Sequence, residues 1–208
     1  MRDVTIELRE RHSYLSSLLY LVAITFVVYK VFGRVEAPTR VGLFWILILF
    51  TSINVISYSF SFHAQKRKLY HYTLYRPLEM IIAKWGINCI KLIIAGIVLV
   101  GLQILFSNEG LKNPILFFQT YVLCVIGLTA ALTFISSVSS YSQNQNNLMA
   151  ILSLPLLIPI LLLGMRTCMI SERIIIDTAV NSYLLMLGGI DIIFVALLII
   201  FIPLTWKS

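Results

Sequence analysis

Two ionisable side chains stand where hydrocarbon should exclude them. Lys91 lies about ten residues into one long apolar run, and Asp191 lies eight residues past Tyr183 in another. At a helical rise of about 1.5 Å per residue their depths differ by roughly 6 Å, about the reach of a lysine stem. A charge inside a membrane marks a site by default, because nothing there replaces its hydration. Two readings stand. Either Lys91 pairs with Asp191, or Lys91 snorkels toward the headgroups while Asp191 faces a wet crevice. A third polar position is Asn54, which shares a helical face with Ser57 and Ser61. That face should meet other helices through hydrogen bonds, or else line a substrate path.

Chemistry of other kinds finds no foothold. The chain has no GxxxxGK[ST] for ATP, no HExxH, no GxSxG and no acidic metal cluster. His12, His63 and His71 have no second ligand placed beside them, so they read as surface histidines and not as haem or metal ligands. Cys89, Cys124 and Cys168 form no CxxC. The nine acids are scattered, whereas a membrane phosphatidyltransferase needs them clustered at one face. No catalytic residue, metal ligand or bound cofactor is expected. Pro155 and Pro159 lie one turn apart in a further apolar run. Each removes a backbone donor and frees the carbonyl four residues earlier, which gives either a simple kink or a hinge.

The elements that hold these residues follow from composition. Of 208 residues 59% are hydrophobic and 12% charged, and the mean hydropathy is +0.93. A soluble domain of this length has too little interior for so much apolar surface, so the solvent is a bilayer. The net charge of +7 comes from basic residues flanking apolar runs, which is a membrane pattern and not a nucleic-acid patch. The expected fold is all-α: one polytopic transmembrane domain over 1–208. Spans are expected near 15–32, 41–62, 81–106, 115–137, 148–164 and 183–205. Residues 2–14, with Val4, Leu8 and Leu15 on one face, predict an interfacial helix, and a frayed charged terminus is the alternative.

The one long polar interruption is 62–85, which carries Lys66, Arg67, Lys68, Arg76 and Lys84 against a single acid, Glu79. With six spans both termini share its side. That side collects nine basic residues, and the other collects six: Lys30, Arg34, Arg40, Lys112, Arg166 and Arg173. The bias puts the termini in the cytoplasm. Trp85 and Trp206 should then mark the inner interface and Trp45 the outer one.

Several stretches together resemble the CcmB family, the haem exporter membrane subunit of cytochrome c maturation system I. LYRPLEMIIAKW (74–85) looks like the family's LLPLPLPAVVLAKxxxxW segment, and GLFWILILF (42–50) looks like its PGIIWVxxLF helix. ILSLPLLIPILLLG (151–164) is similar to ILxLPLxIPLLIF through its LPxxxP spacing. YLLMLGG (183–189) resembles YLxxLGA, and ELRERHSYL (7–15) resembles the ELRxxxR entry. The matches keep their order from Glu7 to Gly189.

The resemblance implies a six-helix permease related to the ABC-2 type and localised to a bacterial inner membrane. It implies a CcmA-like ATPase that holds the ATP, and CcmC-like, CcmD-like and CcmE-like partners that handle the haem. A homodimer within the complex is a further expectation, as symmetric half-transporters usually need two membrane subunits. It also assigns the 62–85 loop to ATPase docking, through Lys66, Arg67, Lys68, Leu74, Arg76, Pro77, Leu78 and Lys84. Two stretches depart from the pattern. Where the family carries acids, as in ERxFRDDxxDGSLE, this chain has SYSFSFHAQKRKLYH (57–71). Its SQNQNN (142–147) replaces an Arg-Gly-Gly element. Nothing matches the tryptophan-rich haem motif of CcmC, so a haem site on this chain is not expected. The competing readings are an ABC-2 permease for a lipid or glycan, and a membrane scaffold with no ATPase.

Overall fold

The structure, a computed structural model, describes residues 11–66, 77–139 and 145–205, with side chains for 14–57, 81–139 and 151–200. Six α-helices account for nearly all of them: α1 (Arg11–Phe32), α2 (Ala37–Lys66), α3 (Pro77–Ser107), α4 (Pro114–Ser139), α5 (Gln145–Ser171) and α6 (Val180–Thr205). Each is long and apolar enough to cross a bilayer. The architecture is that of a polytopic membrane protein, and no strand occurs among the described residues.

Proline and left-handed residues punctuate the chain where the helices begin and end. Pro38, Pro77 and Pro114 sit in the first turns of α2, α3 and α4, where a missing backbone donor costs nothing. Asn113 caps α4 by accepting the Leu116 amide at 3.2 Å. At the opposite ends, α1, α3 and α5 each stop on a residue with positive φ: Gly33 (66°), Asn108 (54°) and Arg173 (55°). The last is a Schellman close, with the Arg173 and Ile174 amides donating to the carbonyls of Ile170 and Met169.

α4 is the most buried span and α1 the least. α4 packs on α5 and α6 most extensively, and α2 and α3 flank it. Its amino-terminal half centres on aromatic rings: Phe44 lies against Trp45, Phe117 and Tyr121 with centroids 5.1–5.6 Å apart. Two glycines make this approach possible. A Cβ on Gly96 would run into the Tyr121 ring, and one on Gly164 would fall 2.8 Å from the Trp45 ring. Trp45 is therefore a core residue, 1% exposed, and not the outer-interface marker expected from the sequence. Buried hydroxyls are disposed of locally. Thr25, Thr51, Thr120, Thr129 and Thr167 each donate to the carbonyl four residues earlier, so they need no partner helix.

The boundaries differ most at α5. The expected span of 148–164 is too short, because the helix runs through both prolines to Ser171, leaving only 172–179 as the connection to α6. Pro155 and Pro159 lie on the exposed face, so their rings and the freed carbonyls disturb no packing on α4 and the helix is not broken. At the amino end, α1 begins at Arg11 and runs directly into the span. Residues 1–10 of the expected interfacial helix, and residues 140–144 of the following polar loop, lie outside the described residues.

Candidate functional site

The expected ATPase loop is described only at its edges. Lys66 is the last residue of α2, and Pro77 and Leu78 open α3. Arg67, Lys68, Leu74 and Arg76 lie outside the described residues. The two helices border the segment directly, α2 ending at Lys66 and α3 starting at Pro77. Lys84 differs from expectation. It is 5% exposed, buried within α3 and not on a loop surface, because two helical turns separate it from Pro77. Next to it, the Trp85 indole N–H donates to Thr129 Oγ1 on α4 at 3.0 Å. The same hydroxyl meets Cys89 Sγ at 2.9 Å. Ile81 packs with Leu198 of α6, with Trp85 and Phe134 against them. The first turns of α3 are thus joined to both α4 and α6.

Lys91 and Asp191 are not brought together. Both Asp191 carboxylate oxygens are buried and accept no hydrogen bond among the described residues. Lys91 is half-buried, and its carbonyl accepts from the Tyr14 hydroxyl of α1 at 2.7 Å. The reason is helical phase: Asp191 faces α4, where Oδ1 lies over Gly127, while the Lys91 backbone faces α1. Gly127 is what admits the carboxyl, since a Cβ there would collide with it.

Asn54 also departs from expectation, being exposed on the outside of α2 beside Phe50. Besides Arg40 near its start, the polar residues that α2 buries among its described side chains are Thr51 and Ser52, each bonded to the backbone of its own helix. Period alone could not distinguish these two faces, since both carry polar side chains among large apolar ones.

At the opposite end of the bundle is a cluster that sequence reasoning missed. Arg40, counted there as a flanking charge, is 5% exposed. Its guanidinium donates to Glu172 Oε2 at 2.8 Å and to Glu109 Oε2 at 3.2 Å, with Ser107 Oγ at 3.4 Å. Gln103 Nε2 donates to the Arg40 carbonyl at 3.2 Å. The start of α2, the end of α3 and the end of α5 are fastened at one point. The fork of an arginine suits this, because one planar group reaches two carboxylates. The signal available in the sequence was Arg40 abutting an apolar run, with Glu172 at the close of another.

A second polar knot holds the 172–179 connection. Asp177 accepts from Arg166 at 3.1 Å, from the Tyr183 hydroxyl at 2.8 Å and from the Ala179 amide at 2.9 Å. The Ala179 and Tyr183 hydrogen bonds hold its carboxyl below the usual carboxylate range. Arg166 also lies over the Tyr183 ring, 4.9 Å from its centroid.

No three His, Cys, Asp or Glu side chains cluster to hold a metal ion among the described residues. An open groove between the starts of α4 and α6 is lined by Ile115, Phe118, Val122 and Leu184, with Gln119 as its polar wall. It offers a lipid tail or a helix an apolar surface, and none of its lining residues is a histidine, cysteine or methionine suited to iron.

No curated protein and no solved structure matches the chain significantly. A family model described as CcmB protein matches residues 1–205, and the chain belongs to the CcmB family.

Proposed function

We propose that this chain is the permease subunit of an ABC-type complex for haem export or haem-chaperone release in c-type cytochrome biogenesis. Membership of the CcmB family makes it a membrane component of the haem export system of cytochrome c maturation. That match over 1–205 is the observation that carries the reading. ATP is hydrolysed on a CcmA-like partner, and haem travels on CcmC-like and CcmE-like proteins, with a CcmD-like protein completing the assembly. The complex sits in a bacterial inner membrane with both termini of this chain in the cytoplasm.

The geometry supports a route for the energy. α2, ending at Lys66, and α3, starting at Pro77, border the basic segment between them. A push on that segment reaches α4 through Trp85 and Thr129, and α6 through Ile81 and Leu198. Arg40, Glu109 and Glu172 meanwhile hold α2, α3 and α5 together at the far end. Helices tied at one end and pushed at the other rock about the tied end, which is how a packed bundle converts local work into a change of shape.

The test is deletion in the native host followed by haem staining of membrane proteins. Loss of the c-type cytochromes, restored by the intact chain, supports the reading. Unchanged cytochromes with an altered envelope lipid or glycan would instead favour a permease for those substrates.

A further inference from the structure

Among the described residues Asp191 is the one acid near the middle of a spanning helix, and the proposed function does not use it. It lies eleven residues into α6, about 16 Å from the start of a 26-residue helix (Val180–Thr205) that is roughly 39 Å long. Its side chain is 5% exposed, and neither oxygen has a hydrogen-bond partner among the described residues.

The surroundings are specific. α4 supplies Gly127, whose missing Cβ leaves the space that Oδ1 fills, and Cys124 one turn away. α3 supplies Cys89, whose sulfur is already engaged with Thr129. α5 supplies the Ile160 methyl beside Gly127, while its Cys168 lies toward Cys124. These three helices are the ones packed on α6. The ionisable groups facing the carboxyl are therefore thiols, and no described lysine or arginine pairs with it.

A carboxylate with neither counter-ion nor donor cannot persist at the centre of a bilayer, whereas the neutral acid can. We propose that Asp191 is a proton-binding site, loaded in the packed bundle and emptied when α6 separates from α4. The step is simple. Water entering the gap accepts the acid proton, leaving the Asp191 carboxylate solvated, and repacking against Gly127 requires the proton to return. Helix motion and proton occupancy are thereby linked, and this holds whatever substrate the complex serves.

Glu172 provides an internal comparison, because it is equally buried but has the Arg40 guanidinium 2.8 Å away. Native membranes holding the complex are treated with dicyclohexylcarbodiimide, an apolar reagent that adds to protonated carboxyls, and the adducts are mapped by mass spectrometry. Modification of Asp191 at neutral pH, exceeding that of Glu172 by roughly tenfold or more, is expected. A second measurement avoids dependence on reagent access. Thermal midpoints of the purified chain and of Asp191→Asn are compared across pH. The native chain should lose stability as pH rises, because only the opened state can give up the proton, whereas Asp191→Asn, a neutral isostere, should lack that component. Equal pH slopes for the two proteins would overturn the proposal, as would preferential labelling of Glu172.

Discussion

Removing Arg40 should cost more than removing either of its acidic partners, and the structure says by how much. Glu172 is 1% exposed, and its Oε1 already lacks a partner among the described residues. Its Oε2 depends on Arg40 at 2.8 Å. Arg40→Ala therefore strands a buried carboxylate, a loss of about 3–5 kcal/mol. At this chain length each kcal/mol moves the unfolding midpoint by roughly 2–4 °C, so the expected fall is about 6–20 °C. Glu109 has a side chain 69% exposed and pairs at 3.2 Å, so Glu109→Ala should cost under about 1 kcal/mol. Glu172→Ala falls between them, because Arg40 keeps Glu109. The double variant Arg40→Met/Glu172→Leu leaves no stranded charge and should be more stable than Arg40→Ala alone. The assay is thermal unfolding of the purified chain in detergent, arranged as a double-mutant cycle. Strict additivity, or Arg40→Ala indistinguishable from the native chain, would refute the reasoning.

Three further outcomes follow from separate contacts. Gly127→Ala forces a methyl onto the Asp191 carboxyl and should destabilise by about 1–3 kcal/mol, with Asp191→Ala in the same chain recovering most of the loss in the same melt. Trp85→Phe keeps the ring but loses the indole donor to Thr129; it should cost about 0.5–1.5 kcal/mol, and in the proposed route it lowers ATP-dependent turnover of the assembled complex more than it lowers complex yield. The Asp177 carboxyl is held below its ordinary range by the Ala179 and Tyr183 bonds. A depressed acid contributes stability that is present above its unfolded value and is lost as pH falls through the folded one. Protection of the 172–179 amides, taken relative to their intrinsic exchange rate at each pH, should thus stay high at neutral pH and fall only in acid, and Asp177→Asn should lower it at neutral pH.

Much of the architecture was legible because apolar run length is a direct reading of bilayer thickness. All six spans are present as helices, and the order of motifs from Glu7 to Gly189 pointed to the family that the match over 1–205 shows. Side-chain placement was far less legible. Trp45 and Lys84 were expected at surfaces and are core residues, because bundle packing, and not proximity to a charged loop, decides where a helical position faces. Asn54 was expected inside and lies outside for the same reason. α5 was cut short because two prolines and Gly164 look like a stop in sequence. In the structure the prolines face outward, and Gly164 is a contact point for Trp45 and Cys124. Pairing Lys91 with Asp191 needed only similar depth. The actual neighbour, Gly127, carries no side chain to read.

Affinity purification of the intact chain from its own membranes in mild detergent, with partners identified and ATP hydrolysis assayed, tests the central claim most directly. Co-purification of a CcmA-like ATPase with a haem-binding membrane protein, and hydrolysis that vanishes when the 67–76 segment between α2 and α3 is replaced by a neutral linker, is the result predicted. Recovery of the chain without any ATPase, in several detergents that keep the six-helix fold intact, would contradict it.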